Sequence, residues 1–436
     1  MIKNNFSDIS KTFGIKIFIV FILALLLLIP IFMIRGVVLD RIDYKEEAIN
    51  SIISPLGFDA EIEGVVIAIP YLKFYSNSYK KDYIFYTPEQ YNVTGEIDTS
   101  ILSRGIFKVP IYKSDLNISG KFESYNSELF SSLIDNNDKV LYDEAVLLLG
   151  IKNKKSLLKL PKITINDDNE LVYYDNADSL NANFFHNKFI YKLNKDNLVN
   201  GFSFKTALSI QGGNTLYIKA LATENNISLS SKWKDPSFVG NFLPVEREVS
   251  NNGFNAKWFI AGFNTSFSKY FTSDKTYSDT DNVEVSFLLL NDNYSKTLRS
   301  VKYAILFIFI PFLILFLCEA LSRIRVHPVQ YILIGLSNAI FYLLLLSISE
   351  HLNFNLSYFI SVIMVTSLTS VYIGYIIKHK KYTLIMSIVE LLMYTFLFGI
   401  LQLTDYALLV GTLGLFAIIA FAMYFTRNID WYADNK

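Results

Sequence analysis

Residues 17–34 read IFIVFILALLLLIPIFMI, an uncharged apolar run. Five further runs of this kind follow one another between residues 301 and 425, and about 265 residues of mixed composition separate the two groups. A bilayer core about 30 Å thick is crossed by about 20 helical residues. Candidate spans are therefore residues 16–34, 301–319, 331–349, 356–377, 383–403 and 406–425. The expected fold is a membrane protein of six transmembrane α-helices, one plus five, with a large β-rich periplasmic domain inserted between spans one and two. The first run is longer than the apolar core of a secretory signal, and Phe32-Met33-Ile34-Arg35 is a poor cleavage site, so it reads as an uncleaved anchor.

The connections set the expected orientation. Lys3, Lys11 and Lys16 precede the first span, and Arg323 and Arg325 lie between spans two and three. Lys378, Lys380 and Lys381 lie between spans four and five, and Arg427 and Lys436 follow span six. The alternate loops, residues 351–355 and 404–405, contain no Lys or Arg. The positive-inside rule then puts both termini in the cytoplasm and the large domain in the periplasm of a bacterial inner membrane. The division is 1–34 for tail and anchor, 35–299 for the β-rich domain, 300–426 for the five-helix bundle and 427–436 for a cytoplasmic tail.

The 436 residues are 52% hydrophobic and sum to zero net charge. That zero hides two unlike parts. Residues 35–299 hold 29 Lys+Arg against 33 Asp+Glu, and the remainder holds 11 against 7. No strongly basic part survives the split, which leaves nucleic-acid binding without electrostatic support. The single cysteine, Cys318, excludes a disulfide framework within the chain and a thiolate zinc site.

Within the large domain, residues 36–53 read as a charged helix continuing from the first span until Pro55. Period-two patterns follow, as at residues 65–69, 187–193, 216–220 and 282–287, separated by turn clusters such as Gln211-Gly212-Gly213-Asn214. They predict antiparallel strands, in one or two sheets or subdomains. Residues 138–149 fit a helix or a strand.

One string is dense in unusual residues: Trp233-Lys234-Asp235-Pro236-Ser237-Phe238-Val239-Gly240-Asn241-Phe242-Leu243-Pro244, then Glu246-Arg247-Glu248 and on to Trp258. With it stand Leu39-Asp40-Arg41 after the first span, Lys302-Tyr303-Ala304 at the second and His327-Pro328-Val329-Gln330-Tyr331 before the third. Ser349-Glu350-His351 and the tail Thr426-Arg427-Asn428-Ile429-Asp430-Trp431-Tyr432-Ala433 complete the set. Together these resemble the CreD family of bacterial inner-membrane proteins, nearly end to end, with residues 71–230 carrying least of the likeness. The resemblance implies a role in envelope integrity and envelope-stress responses, often under two-component control. It brings no active-site residues.

The candidate functional residues are Glu390, Asp235, Pro236, Glu246, Arg247 and Glu248. Glu390 is a carboxylate well inside a span, where a charge costs about 2.5–3.5 kcal/mol on insertion scales, so it must be protonated, paired or beside a wet cavity. Glu246–Glu248 read either as a polar docking site or as a solvated charge run. Glu350-His351 reads as a polar cap, since neighbours on a helix diverge too far to chelate as a pair. Glu319 and Arg323 read as an i,i+4 ion pair, and Trp431-Tyr432 as an interface anchor.

No phosphate loop, zinc helix or nucleophile elbow occurs, so neither enzymatic activity nor a cofactor is expected. The expected partners are the lipid bilayer and an envelope protein or cell-wall component bound by the periplasmic domain. The alternative is a transporter or channel-like bundle with Glu390 in a polar cavity.

Overall fold

The computed structural model describes residues 18–75, 78–125, 133–135, 137–166, 169–174, 185–273, 281–289, 293–322, 326–403 and 406–427. Lys3, Lys11, Lys16, Arg323, Arg325, Trp431 and Tyr432 lie outside this set, so the ion pair of Glu319 with Arg323 and the tail anchor do too. The chain divides into two compact units, residues 1–45 with 291–436, and residues 46–290.

The first unit is helical. The N-terminal apolar run forms a helix from Phe18 to Leu56 that includes α1 (Leu28–Ile53). Residues 36–53 thus continue the first run as one helix until Pro55, as their composition predicted. Three more helices are long and apolar enough to cross a membrane: Pro328–Ser349, Phe354–Ile377 and Lys380–Gln402. Asn293–Lys302 and Ala304–Leu317 qualify only as a pair, bent by 44° at Tyr303. The last apolar helix is short, Ala407–Phe421 within its described side chains. Among the described residues, length and composition therefore support four spans, or five with the bent pair, where the sequence pattern predicts six.

Local signals place the helix starts. His327 accepts the Val329 N–H at 3.4 Å while the Gln330 side chain accepts the His327 N–H at 2.9 Å, a capping box with Pro328 in the first turn. Asn353 Oδ1 accepts the Leu356 N–H at 2.9 Å and starts the next helix.

The second unit is two packed sheets. In chain order its strands are β1 (Ala60–Tyr75), β2 (Ser78–Tyr86), β3 (Gln90–Arg104), β4 (Phe107–Phe122), β5 (Lys139–Val140) and β6 (Val146–Ile151). Then come β7 (Ile163–Ile165), β8 (Asn169–Glu170), β9 (Tyr173–Tyr174) and β10 (Asn187–Lys192). A short helix α2 (Lys195–Asn200) leads to β11 (Phe202–Gly213), β12 (Thr215–Lys219), β13 (Glu224–Ser231) and β14 (Pro236–Gly240). The last are β15 (Glu246–Ser250), β16 (Gly253–Ala261), β17 (Tyr270–Thr272) and β18 (Asn282–Phe287). One sheet runs β14-β18-β12-β1-β6-β10-β9 with β2, β5 and β17 attached, and the other runs β15-β16-β13-β3-β4-β11-β7-β8. Residues 146–149 are strand, and Gly212 and Gly213 belong to β11, so the expected turn shrinks to Asn214 at φ 47°.

Ile62, Val65, Ile67, Leu147 and Ile218 of the first sheet meet Val93, Leu116, Ile118, Phe204 and Trp258 of the second in the main core. The first sheet is also covered on its other face, where Val66, Ala68, Phe85, Leu148, Phe185 and Phe271 form a second cluster. Residues 65–69, expected to alternate, are instead apolar throughout because both faces of β1 are buried. The second sheet covers only one face, and β4 and β13 alternate buried with exposed.

A bulge sets the phase of β1. Ile62 pairs with Ile151 and Gly64 with Gly150, so two residues of β1 oppose one of β6. Before it, Glu61 and Glu63 face away from the main core; after it, Val65 and Ile67 face inward. Gly64 holds φ +100°, and a Cβ there would sit 2.5 Å from Leu221. Gly64→Ala should therefore cost about 1–3 kcal/mol of stability. Denaturant unfolding of the detergent-solubilised chain, followed by tryptophan fluorescence, measures this; an unchanged midpoint would contradict the assigned bulge.

Candidate functional site

The membrane helices are numbered α3 (Asn293–Lys302), α4 (Ala304–Ser322), α5 (Pro328–Ser349), α6 (Phe354–Ile377), α7 (Lys380–Gln402) and α8 (Ala407–Thr426). Among the described residues, seven buried side-chain polar atoms lack a hydrogen-bond partner, and five of them belong to α5, α6 and α7. They are Ser337 Oγ, Asn338 Nδ2, Tyr342 OH, Thr366 Oγ1 and Glu390 Oε1. Glu390 is only 6% exposed, with its other oxygen 2.5 Å from Thr369 Oγ1. Tyr394 OH donates to Asn338 Oδ1 at 3.2 Å, and Tyr358 OH donates to the Tyr394 carbonyl at 2.6 Å. Serines 370 and 387 meet at 2.7 Å. Apolar helix surfaces thus enclose a polar interior, of which the sequence marked only Glu390.

Two polar clusters sit toward helix ends. Glu350 accepts from Tyr294 OH at 3.2 Å and lies 3.4 Å from Arg41 Nε, while Lys45 stacks over the Tyr294 ring. Glu350 is thus more than a span cap: it ties α1 to α3 and α5. At the other end of α5, Tyr331 OH donates to Glu319 Oε2 and the Val326 N–H to Oε1, each at 3.1 Å.

In the β unit, the 233–258 block supplies one edge of each sheet. Among the described residues, β14, beginning at Pro236, pairs only with β18, and β15, residues 246–250, pairs only with β16. Aromatic contacts pin the segment: Trp233 Nε1 donates to the Asp235 carbonyl, Trp258 Nε1 donates to the Phe242 carbonyl, and Phe238 packs edge-on to Trp258. Asp235 and Pro236 therefore shape a turn into an edge strand. Glu246, Arg247 and Glu248 are all exposed on β15, with Glu246 2.8 Å from Lys257. Val245, Val249 and Leu243 beside them are 72%, 51% and 64% exposed.

A buried charge cluster went unmarked in the sequence. Lys219 Nζ lies 3.7 Å from both Glu61 and Glu63, and Lys152 Nζ lies 2.7 Å from Glu61. Glu63, fully buried, accepts the His186 N–H at 3.0 Å and meets His186 Nδ1 at 2.6 Å. Burial raises the Glu63 pKa, opposed by His186 and Lys219. The signal was Glu61-Ile62-Glu63-Gly64, two acids of one face ahead of an apolar strand. Nearby, burial pushes Asp59 up to about 6, against the Thr215 N–H that it accepts at 3.2 Å. Among the described residues, no three His, Cys, Asp or Glu side chains are grouped to hold a metal ion.

A family model described as inner membrane protein CreD matches residues 12–432. The protein named inner membrane protein CreD from Escherichia coli (strain K12) is 30% identical over 421 residues, covering 94% of this chain and 92% of that one. The chain belongs to the CreD family. Arg41 and Glu350, from two separate stretches of its CreD-like sequence, are the residues that meet at the end of the bundle. In this CreD-family chain the block at 233–258 forms one edge of each sheet, with Phe238 packed on Phe254 and Trp258.

Burial of Asp59 makes the stability of the β unit depend on pH. A carboxyl raised from 3.8 to about 6 on folding binds its proton more tightly in the folded state. Its ionisation costs nothing below the unfolded value, and the cost grows through that window and is complete above about 6. Asp59→Asn keeps an acceptor for Thr215 and removes the charge. The variant should melt higher than the parent at about pH 8, with the gain vanishing as pH falls to 3.8. A gain of equal size at both ends in thermal melts would show that charge burial is not its source.

Proposed function

We propose that this is a six-span inner-membrane protein with both termini in the cytoplasm and its β domain in the periplasm. The alternation of basic and bare loops supports that placement, with the bent α3–α4 pair and α8 as the two spans that length alone leaves short. It supports envelope integrity under stress by binding an envelope partner rather than by catalysis. The observation that carries this reading is the open edge at β15.

That edge suits a protein partner. An uncovered edge strand presents a row of backbone donors and acceptors, and a partner's extended segment can add to it as a further strand. All five residues of β15 are exposed, and Val245 and Val249 offer apolar contacts on one face. Charges at Glu246, Arg247 and Glu248 keep the edge from pairing with copies of itself, which is how such edges remain soluble. Ser250 and Gly253 close a two-residue turn as a hydrogen-bonded pair, so the N–H groups of residues 246, 248 and 250 point to β16 and those of 247 and 249 point outward.

Arg247→Pro removes one outward donor without touching the ladder to β16. A photo-crosslinker at Val249 should capture the partner in cells carrying the parent sequence. With Arg247→Pro the adduct should be lost, together with envelope resistance in a strain lacking the native protein. Unchanged resistance and capture would refute strand addition here.

A further inference from the structure

Glu390 lies in a pocket whose other lining residues, Pro311, Ile314, Ile334, Ile373, Met386 and Met393 among them, carry no charge. They come from α4, α5, α6 and α7, and among the described residues these elements bring no cation to the carboxyl. Its titratable neighbour is Tyr394, one turn further along α7, whose hydroxyl already donates to Asn338. Among the described residues, the polar group in contact with Glu390 is Thr369.

The threonine hydroxyl makes the arrangement specific. Thr369 Oγ1 lies 3.0 Å from the Val365 carbonyl, 3.2 Å from the Thr366 carbonyl and 2.5 Å from Glu390 Oε2. A hydroxyl has one hydrogen to give and lone pairs to accept with. If Glu390 is ionised, the hydrogen serves the carboxylate and the close approach to Val365 is no bond. If Glu390 is protonated, the carboxyl O–H donates to Oγ1 and the hydroxyl hydrogen passes to the Val365 carbonyl. Both short contacts are then hydrogen bonds. A protonated carboxyl also leaves Oε1 as a neutral carbonyl oxygen, far less costly to bury unpartnered than a charge.

We infer that Glu390 is a reversible proton-binding site in the membrane bundle, with Thr369 as the positioning residue that senses its state. Proton loss leaves the electron pair on the carboxylate and turns the Thr369 hydrogen from Val365 to Glu390. The α6–α7 contact thus has two hydrogen-bonded forms that differ by one proton. The inference stands apart from the reading of β15, and either can fail without the other.

The test is infrared difference spectroscopy, acid minus alkaline, on the full chain in lipid. A protonated-carboxyl C=O band should titrate in the parent, vanish in Glu390→Gln and persist in Glu319→Gln. In Thr369→Val the band should persist at a shifted frequency, because the hydrogen bond to Oγ1 is gone; a merely structural threonine would not move it. Should the Gln variant fail to fold, the Thr369→Val shift carries the test by itself. A titrating band untouched by Glu390→Gln, the lack of any such band, or a Thr369→Val frequency equal to the parent's would overturn the inference.

Discussion

Hydrocarbon supplies no hydrogen-bond partner to a peptide group, and the organisation of this chain follows from that constraint. Where the sequence is apolar, the backbone closes its bonds within helices, which is the only open-ended way to do so in lipid. Where it alternates, strands must find partners in space, and the eighteen among the described residues do so in two sheets. The strand at the centre of this, β1, pairs with four others and is covered on both faces by the two apolar clusters. Its bulge at Gly64 lets one strand present acids to one side and then apolar residues to both.

The same constraint singles out the places where it is not met. In the β unit these are the open edges, above all β15, exposed along its whole length. In the helical unit they are side chains rather than backbone: among the described residues, five polar atoms of α5, α6 and α7 lack partners, in the interior of helices whose outer surfaces are apolar. A buried polar atom left unbonded costs about 1–3 kcal/mol. Such groups persist where something other than stability holds them, and that is the physical ground for looking at Glu390 and β15.

Much of the plan was legible in the sequence. Apolar runs gave the helices, the Pro55 stop ended the first, and period-two alternation marked β10, β12 and β18. The family was readable from short motifs with little hydrophobic content, such as His327-Pro328 and the Trp233 block. What was not legible depended on contacts across long separations. Nothing local says that Glu63 meets His186, 123 residues on, or that Arg41 meets Glu350. Residues 246–248 showed their charge but not their position on an edge strand, because an edge is defined by the strand that is missing beside it. The 44° bend at Tyr303 was hidden inside an apolar run, since hydropathy reports length and not direction.

The central claim is that the β domain lies on the periplasmic side with β15 open to its surroundings, while the basic loop before α7 faces the cytoplasm. Labelling single cysteines introduced in a Cys318→Ser background with a membrane-impermeant maleimide tests it directly, in cells whose outer membrane has been opened. The account predicts that Glu248→Cys is labelled at once and Lys380→Cys only after the inner membrane is permeabilised. Immediate labelling at residue 380, or protection of residue 248 until permeabilisation, would contradict it.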